Sequence, residues 1–317
     1  VDLCTKIVMN RKFKCRLYKA CLSKGKLMSQ WLLGSALIFA VSLSQALEVT
    51  DYLGNTLKLK QPAERIISLT PHITELLFSV GAGEKIVGTV EYSDYPDAAK
   101  SIPQVGNYAG LNIEAILALQ PDLIIYWPEG NSARDTARLQ QLKLPLFASD
   151  PNSFTEIADD IKRFGALTGY QEKSTQIAHH FLERVNEIKL ANQQKKPLQV
   201  FFQVWDKPLL TQNGDTFISR LISLCGGKNI FSDLTIKSAQ VSVEAVLTAD
   251  PDIFLAGAQL GQRPDWLDEW LQYPYLTAVK TNQLLIVEED LIHRPTLRLL
   301  DAAQQVCTLF DEARALY

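Results

Sequence analysis

The side chains of this chain with chemistry to offer are few. His72, at the start of an expected helix, and His293, in an expected loop, could each face the cleft. Together with Asp290 or Glu91 they have the donor types of a zinc or manganese site. Solvent-facing or supporting imidazoles are the alternative for both. His179 and His180 are adjacent on an expected helix, so they diverge and cannot face one metal. There is no Gly-x-Ser-x-Gly, no phosphate-binding glycine loop and no His-Glu-x-x-His, so catalysis has little support. The better-supported chemistry is capture by aromatic faces. Residues 91–96 (with Tyr92 and Tyr95), 106–110 (with Tyr108), 126–127 (with Trp127) and 205–206 (with Trp205) all follow expected strand ends. Open α/β sheets bind ligands there, and aromatic faces suit flat or bulky organic molecules. Asp290 and Arg294 follow the last expected strand and are candidate polar anchors.

These loops need a scaffold, and an internal repeat announces it. Residues 111–125 (LNIEAILALQPDLII) are echoed by 241–255 (VSVEAVLTADPDIFL). Each copy reads as a short helix, a Pro-Asp turn and a buried strand. Asn112 and Ser242 stand at the N-cap positions. Glu114 and Glu244 lie in the first turn, where the helix dipole favours a carboxylate. Pro121 and Pro251 stop the helices. Two copies predict two similar α/β lobes, with a ligand between them. A hairpin over 48–59 precedes strands at 65–69, 85–90, 123–127 and 144–148 and helices at 70–80, 112–119 and 132–142. This alternation predicts a mainly parallel sheet. Asp150 and Ser153 are N-cap candidates for a helical connector over 153–196, broken near Gly169 and Tyr170. Its second part carries the stripe Ile177, Phe181, Val185, Ile188. A second lobe follows over 197–317, with a final helix at 295–315. The expected fold is thus α/β: two Rossmann-like lobes, 47–152 and 197–317, joined by one long rigid helix.

The N-terminal 46 residues read as a signal peptide with an upstream extension. An apolar run follows Met28, Lys24 and Lys26 precede it, and Ser44-Gln45-Ala46 suits cleavage. The run is short for a membrane span. Eight of the 32 Lys and Arg but only one of the 35 Asp and Glu precede residue 47, which leaves a surplus of ten acids beyond it. That acidic balance argues against nucleic acid as a partner. Cys225 and Cys307 alone remain after Ala46, and an even pair in an exported chain suggests one disulfide. Two separate buried thiols are the alternative. The absence of Cys-x-x-Cys argues against a redox site.

From Ala63 onward the chain resembles the periplasmic substrate-binding proteins of ABC importers that have one rigid helix between two lobes. The resemblance is carried by residues 68–75 (SLTPHITE), 92–96 (YSDYP), 110–114 (GLNIE), 121–127 (PDLIIYW), 225–231 (CGGKNIF) and 302–307 (AAQQVC). Within the class it is most similar to the cobalamin-binding members. The resemblance implies periplasmic capture of cobalamin, as transported ligand and not as cofactor, by a monomer that delivers it to the permease. It implies that Tyr92, Tyr108 and Trp127 line the site from lobe one, and Asp290 and Arg294 from lobe two. Trp205 would stand in for a phenylalanine replaced by Val204. It further implies that Glu114 and Glu244 dock onto permease arginines and that Cys225 pairs with Cys307. Ser238 stands where those binders have a tryptophan, Tyr108 replaces another, and the 48–59 hairpin is more typical of haem and siderophore binders. Haem or a ferric siderophore is therefore the alternative ligand. Anionic siderophores call for more cleft arginines than the sequence offers. A metal-dependent enzyme on the same lobes is a further alternative.

Overall fold

The structure is a computed structural model that describes residues 46–107, 109–259 and 261–316. The signal-peptide expectation therefore lies almost wholly outside the described residues, and so does Tyr108. No described helix is long and apolar enough to cross a membrane.

Each lobe is built on a four-stranded parallel sheet. In the first lobe the strand order is Ile86–Gly88, Ile66–Ser68, Leu123–Tyr126, Leu146–Ala148. In the second it is Gly227–Asn229, Leu198–Gln203, Ile253–Ala258, Leu284–Glu288. Parallel strands are covered on both faces, so their side chains divide by the two-residue period. Leu123 and Ile125 join one core, and Ile124 and Tyr126 another. Likewise Val200 and Phe202 point to one face, Phe201 to the other. The larger core runs without interruption from lobe one through the connecting helices into lobe two.

The two repeat copies fold alike. Asn112 caps helix Ile113–Ala118 by accepting from Ala115 N, and Ser242 caps helix Val243–Ala249 by accepting from Ala245 N. The aspartate of each Pro-Asp pair then pins the first strand of its own lobe. Asp122 accepts from the backbone N–H groups of Glu64 and Arg65, and Asp252 from that of Gln199. Both carboxylates thus reinforce the register of a parallel strand pair at its N-terminal end, beside the backbone bonds from Asp122 N–H to Arg65 O and from Asp252 N–H to Gln199 O.

The chain crosses between lobes along helix Gln171–Asn192. It pairs first with helix Phe154–Thr168, whose N-cap is Ser153. The two helices touch at Gly165, where an added Cβ would fall 1.8 Å from Ser174 Oγ. Phe181 is buried, and Ile177, Val185 and Ile188 pack against the common core, as the stripe predicts.

Some elements differ from the sequence expectation. The last helix begins at Leu299, not at 295, because the segment after the single turn Glu289–Ile292 leaves the helical path to carry Arg294, Thr296 and Arg298 towards lobe one. Gly226 ends a helix as expected, but Gly227 opens a fourth strand. That strand reads Gly-Lys-Asn, with no apolar pattern to reveal it. Cys225 at the end of helix Phe217–Leu224 meets Cys307 of the final helix, with Cα atoms 4.7 Å apart and the sulfurs within bonding distance.

Candidate functional site

The strand ends of both lobes face one cleft, which holds two cavities of about 250 and 260 Å3. His72, Trp127 and His293 line both and stand where the two meet. The first cavity is walled by Tyr92, Glu91, Asn107, Leu111, Asp135 and Arg294, and the second by Glu129, Asp150, Gln212, Thr216, Lys237 and Ser238.

Trp127 is held as a fixed platform. Its indole N–H donates to Asp150 Oδ1 at 2.9 Å, and its backbone N–H donates to Asn131 Oδ1 at 2.8 Å. Asn131 in turn donates to Leu69 O, tying the loop to the neighbouring strand end. The His72 ring meets the indole edge-on, with centroids 6.0 Å apart. Gly130 lies directly under the ring: a Cβ there would sit 1.8 Å from Trp127 Cε3. Gly130→Val should therefore swing the indole off Asp150. We expect a red-shifted tryptophan emission and ligand affinity down by about tenfold, the scale of one hydrogen bond plus lost ring contact. An unchanged spectrum and affinity would show that the ring needs no such seat.

Tyr92 is the exposed partner of this platform. It holds a left-handed φ of 65° and is 64% exposed beside the first cavity. A non-glycine residue in that region is uncommon and signals a constrained loop. The constraint is visible two residues on, where Asp94 binds Arg294 at 2.9 Å.

Arg294 proves to be a bridge between lobes. Its Nη1 meets Glu75 and Asp94, each at 2.9 Å, and its Nη2 meets Asp290 at 2.8 Å. Arg298 reaches the same Glu75 at 3.2 Å and lies over the Tyr95 ring, 4.0 Å from its centroid. The Thr296 hydroxyl donates to Glu75 Oε2. Burial pushes the Glu75 pKa up, while the Arg294 and Thr296 hydrogen bonds and the two guanidiniums pull against it. Burial also opposes the charge on Arg294, but its hydrogen bonds to Asp94 and Glu75 prevail and raise its pKa. On the other side of the cleft, Lys237 of lobe two binds Glu129 of lobe one at 2.8 Å.

Two expected site residues stand apart. Asp290 lines neither cavity, because its carboxylate is turned to Arg294. Trp205 also lines neither; it is 55% exposed on the loop after strand Leu198–Gln203. Asp150, Glu129, Gly130 and Lys237 were not singled out from sequence as site residues. Asp150 was legible only as a helix-cap candidate, a role Ser153 takes instead.

Burial works against the charged form of both cleft histidines. Burial, with a smaller push from Arg294, lowers the His72 pKa to about 3. Its ring nitrogens face the Thr70 hydroxyl. His293 opens onto the cleft, yet the protein crowding it holds its pKa below the usual imidazole value. No three His, Cys, Asp or Glu side chains among the described residues converge as a metal-holding group. His179 and His180 lie on the exposed face of the connecting helix beside Glu183.

Glu114 and Glu244 are exposed in the first turns of their helices, one on each lobe. Neither forms an ion pair among the described residues. Hydrogen bonds from its own backbone N–H and from Ser242 hold the Glu244 pKa below the usual carboxylate value.

Known proteins share the fold that holds this cleft. Residues 66–305 match the family described as periplasmic binding protein. The chain is 39% identical over 253 residues to a vitamin B12-binding protein of Vibrio cholerae serotype O1, covering 80% of this chain and 91% of that one. The crystal structure of the periplasmic vitamin B12-binding protein of Vibrio cholerae superposes with a TM-score of 0.72 at 38% identity, over 80% of this chain and 98% of that one. A periplasmic haem-binding protein of Roseiflexus shares the fold, with a TM-score of 0.69 at 24% identity, over 80% of this chain and 99% of that one. With three quarters of its length inside the family match and close relatives over four fifths, the chain belongs to the periplasmic binding protein family.

Proposed function

We propose that this chain is a periplasmic receptor that captures cobalamin between its lobes and hands it to an ABC importer, rather than an enzyme. The observation that carries the reading is the 39% identity to a vitamin B12-binding protein across nearly all of that protein's length. The cleft supports it. Each cavity alone falls short of the roughly 300–1,000 Å3 of an ordinary ligand site, so a corrin macrocycle needs both, and the lobes part to admit it. Tyr92 and Trp127 offer it aromatic faces; Tyr108, the third aromatic candidate, lies outside the described residues. Arg294 and Asp290 serve through the bridge that shapes the cleft wall, and Trp205 would reach the ligand only as the lobes close. The reading has the lobes at 47–152 and 197–317, residues 153–196 as connector, a leader removed near Ala46 and a monomer in the periplasm.

The test is a tryptophan-fluorescence titration of the purified chain with cyanocobalamin, repeated with haem and with a ferric siderophore. Saturable quenching by cyanocobalamin, weakened at least about tenfold in Trp127→Ala, is the expected result. Saturation by haem or the siderophore with no response to cyanocobalamin would overturn the corrin reading.

Delivery would run through Glu114 and Glu244. Two unpaired carboxylates, one per lobe, suit a membrane partner with paired arginines, and such rim charges set docking more than folding. Glu114→Arg/Glu244→Arg should abolish uptake of labelled cobalamin by intact cells while leaving its binding unchanged. Uptake at the unaltered rate would remove both residues from the docking role.

A further inference from the structure

The second cavity carries two buried acceptors without partners. Asp150 is 5% exposed, and only one of its oxygens is used, by the Trp127 indole. Its other oxygen, Oδ2, is buried without a hydrogen-bond partner, and Lys237 Nζ stops 4.0 Å away. Gln212 Oε1, on the same wall, is also buried and unpartnered. Three nearby donors are already drawn to other acceptors. Lys237 is drawn to Glu129 at 2.8 Å, Asn152 Nδ2 to the Asp150 carbonyl at 2.9 Å, and the Thr216 hydroxyl to the Asn213 carbonyl at 3.3 Å. Formal charge points the same way. Glu129 and Asp150 outnumber Lys237 in this cavity, and Glu91 and Asp135 outnumber Arg294 in the first. Arg294 already faces three carboxylates.

We propose that the cleft selects its ligand by charge: the cavity built on Asp150, Glu129 and Gln212 takes uncharged hydrogen-bond donors, such as the primary carboxamides on a corrinoid rim, and rejects the corresponding carboxylates. The inference rests on the corrinoid reading and adds which peripheral chemistry the cleft admits. A primary amide brings two N–H donors to oxygens that lack them, whereas an ionised carboxylate brings none. A carboxylate also adds a third negative group beside Asp150 and Glu129, in a setting where like charges repel more strongly than in water. Burial already raises the Asp150 pKa, so this carboxylate has little tolerance for another. Ser238, exposed on the same wall, leaves room where a bulky side chain would fill it.

The experiment compares cobinamide, which keeps the rim amides, with cobyrinic acid, which carries carboxylates in their place. Both lack the nucleotide loop, and cyanocobalamin serves as reference. Calorimetric titration at pH 7.5 and low salt should show cobinamide binding at least about tenfold more tightly than the acid. In 0.5 M salt the gap should shrink, with the acid gaining, because screening weakens the repulsion. Asp150→Asn/Glu129→Gln keeps the acceptor for Trp127 and turns the local charge from net negative to net positive. It should raise affinity for the acid at least about fivefold, a gain that misfolding cannot produce. Equal binding of acid and amide in the unaltered chain, or a gap insensitive to both salt and the double variant, would overturn the selection. If cyanocobalamin binds in that case, only the selection falls; if neither cyanocobalamin nor cobinamide binds, the corrinoid reading falls with it.

Discussion

Glu75→Ala should destabilise the folded chain by about 3–5 kcal/mol, the range for removing one partner of a buried ion pair. Glu75 is the point where three groups of lobe two meet lobe one. Its carboxylate, with 3% side-chain exposure, accepts from Arg294, Thr296 and Arg298 across more than two hundred residues of sequence. Removing it leaves two guanidiniums desolvated. Arg294 retains Asp94 and Asp290, so the larger loss falls on Arg298, whose guanidinium is left with the Tyr95 ring among the described residues. The cost belongs to the single truncation. It does not mean that the cluster outperforms an apolar contact of the same shape, since burying these charges is itself expensive. Glu75→Gln, which keeps an acceptor without the charge, should cost less than alanine. Urea unfolding gives the free energy, and X-ray scattering should show a larger radius of gyration as the lobes separate. A Glu75→Ala variant within 1 kcal/mol of the parent, with unchanged scattering, would mean that the connecting helices, the shared core and the remaining ion pairs Arg294–Asp94 and Lys237–Glu129 hold the lobes without Glu75.

That cluster also marks the limit of what the sequence conveys. The repeat foretold both lobes because its signals are local: a cap, a first-turn carboxylate, a helix-stopping proline and a short apolar strand all act within fifteen residues. The stripe on the connecting helix was legible for the same reason. Arg294 was legible as a charge near a strand end, which suggested an anchor for ligand. What it binds depends on where helix Pro71–Val80 lies, and no periodicity reports that. The pairs Lys237–Glu129 and Trp127–Asp150 share this character. Gly130 gave no signal at all, since only the packed indole shows why a side chain is excluded there. The candidate site was thus visible as a set of loops, while the contacts that orient its side chains were not.

Replacing the cysteine pair, as Cys225→Ala/Cys307→Ser, should lower the unfolding free energy by about 4–5 kcal/mol on the loop-entropy estimate. A bond between the two sulfurs would close a loop of 82 positions that contains most of lobe two. Its effect is therefore exerted mainly on the unfolded chain, which loses the conformations that separate the two ends of that loop. The folded state should change little, because the final helix has a second attachment at the same place. Arg314 donates to the carbonyls of Cys225 and Gly226 at 2.7 and 3.0 Å, and to Lys196 O at the start of the lobe. Neither cysteine lines the two cavities, so cobalamin affinity should stay within about twofold of the parent while the denaturation midpoint falls. Alkylation before and after reduction, read by mass, tells whether the thiols are joined in the exported chain. If the pair is alkylated without reduction, or if the variant unfolds within 1 kcal/mol of the parent, the two sulfurs are neighbours rather than a bond. Lobe two would then depend on its apolar core, on Arg314 and on the Lys195–Asp311 ion pair to hold the final helix in place.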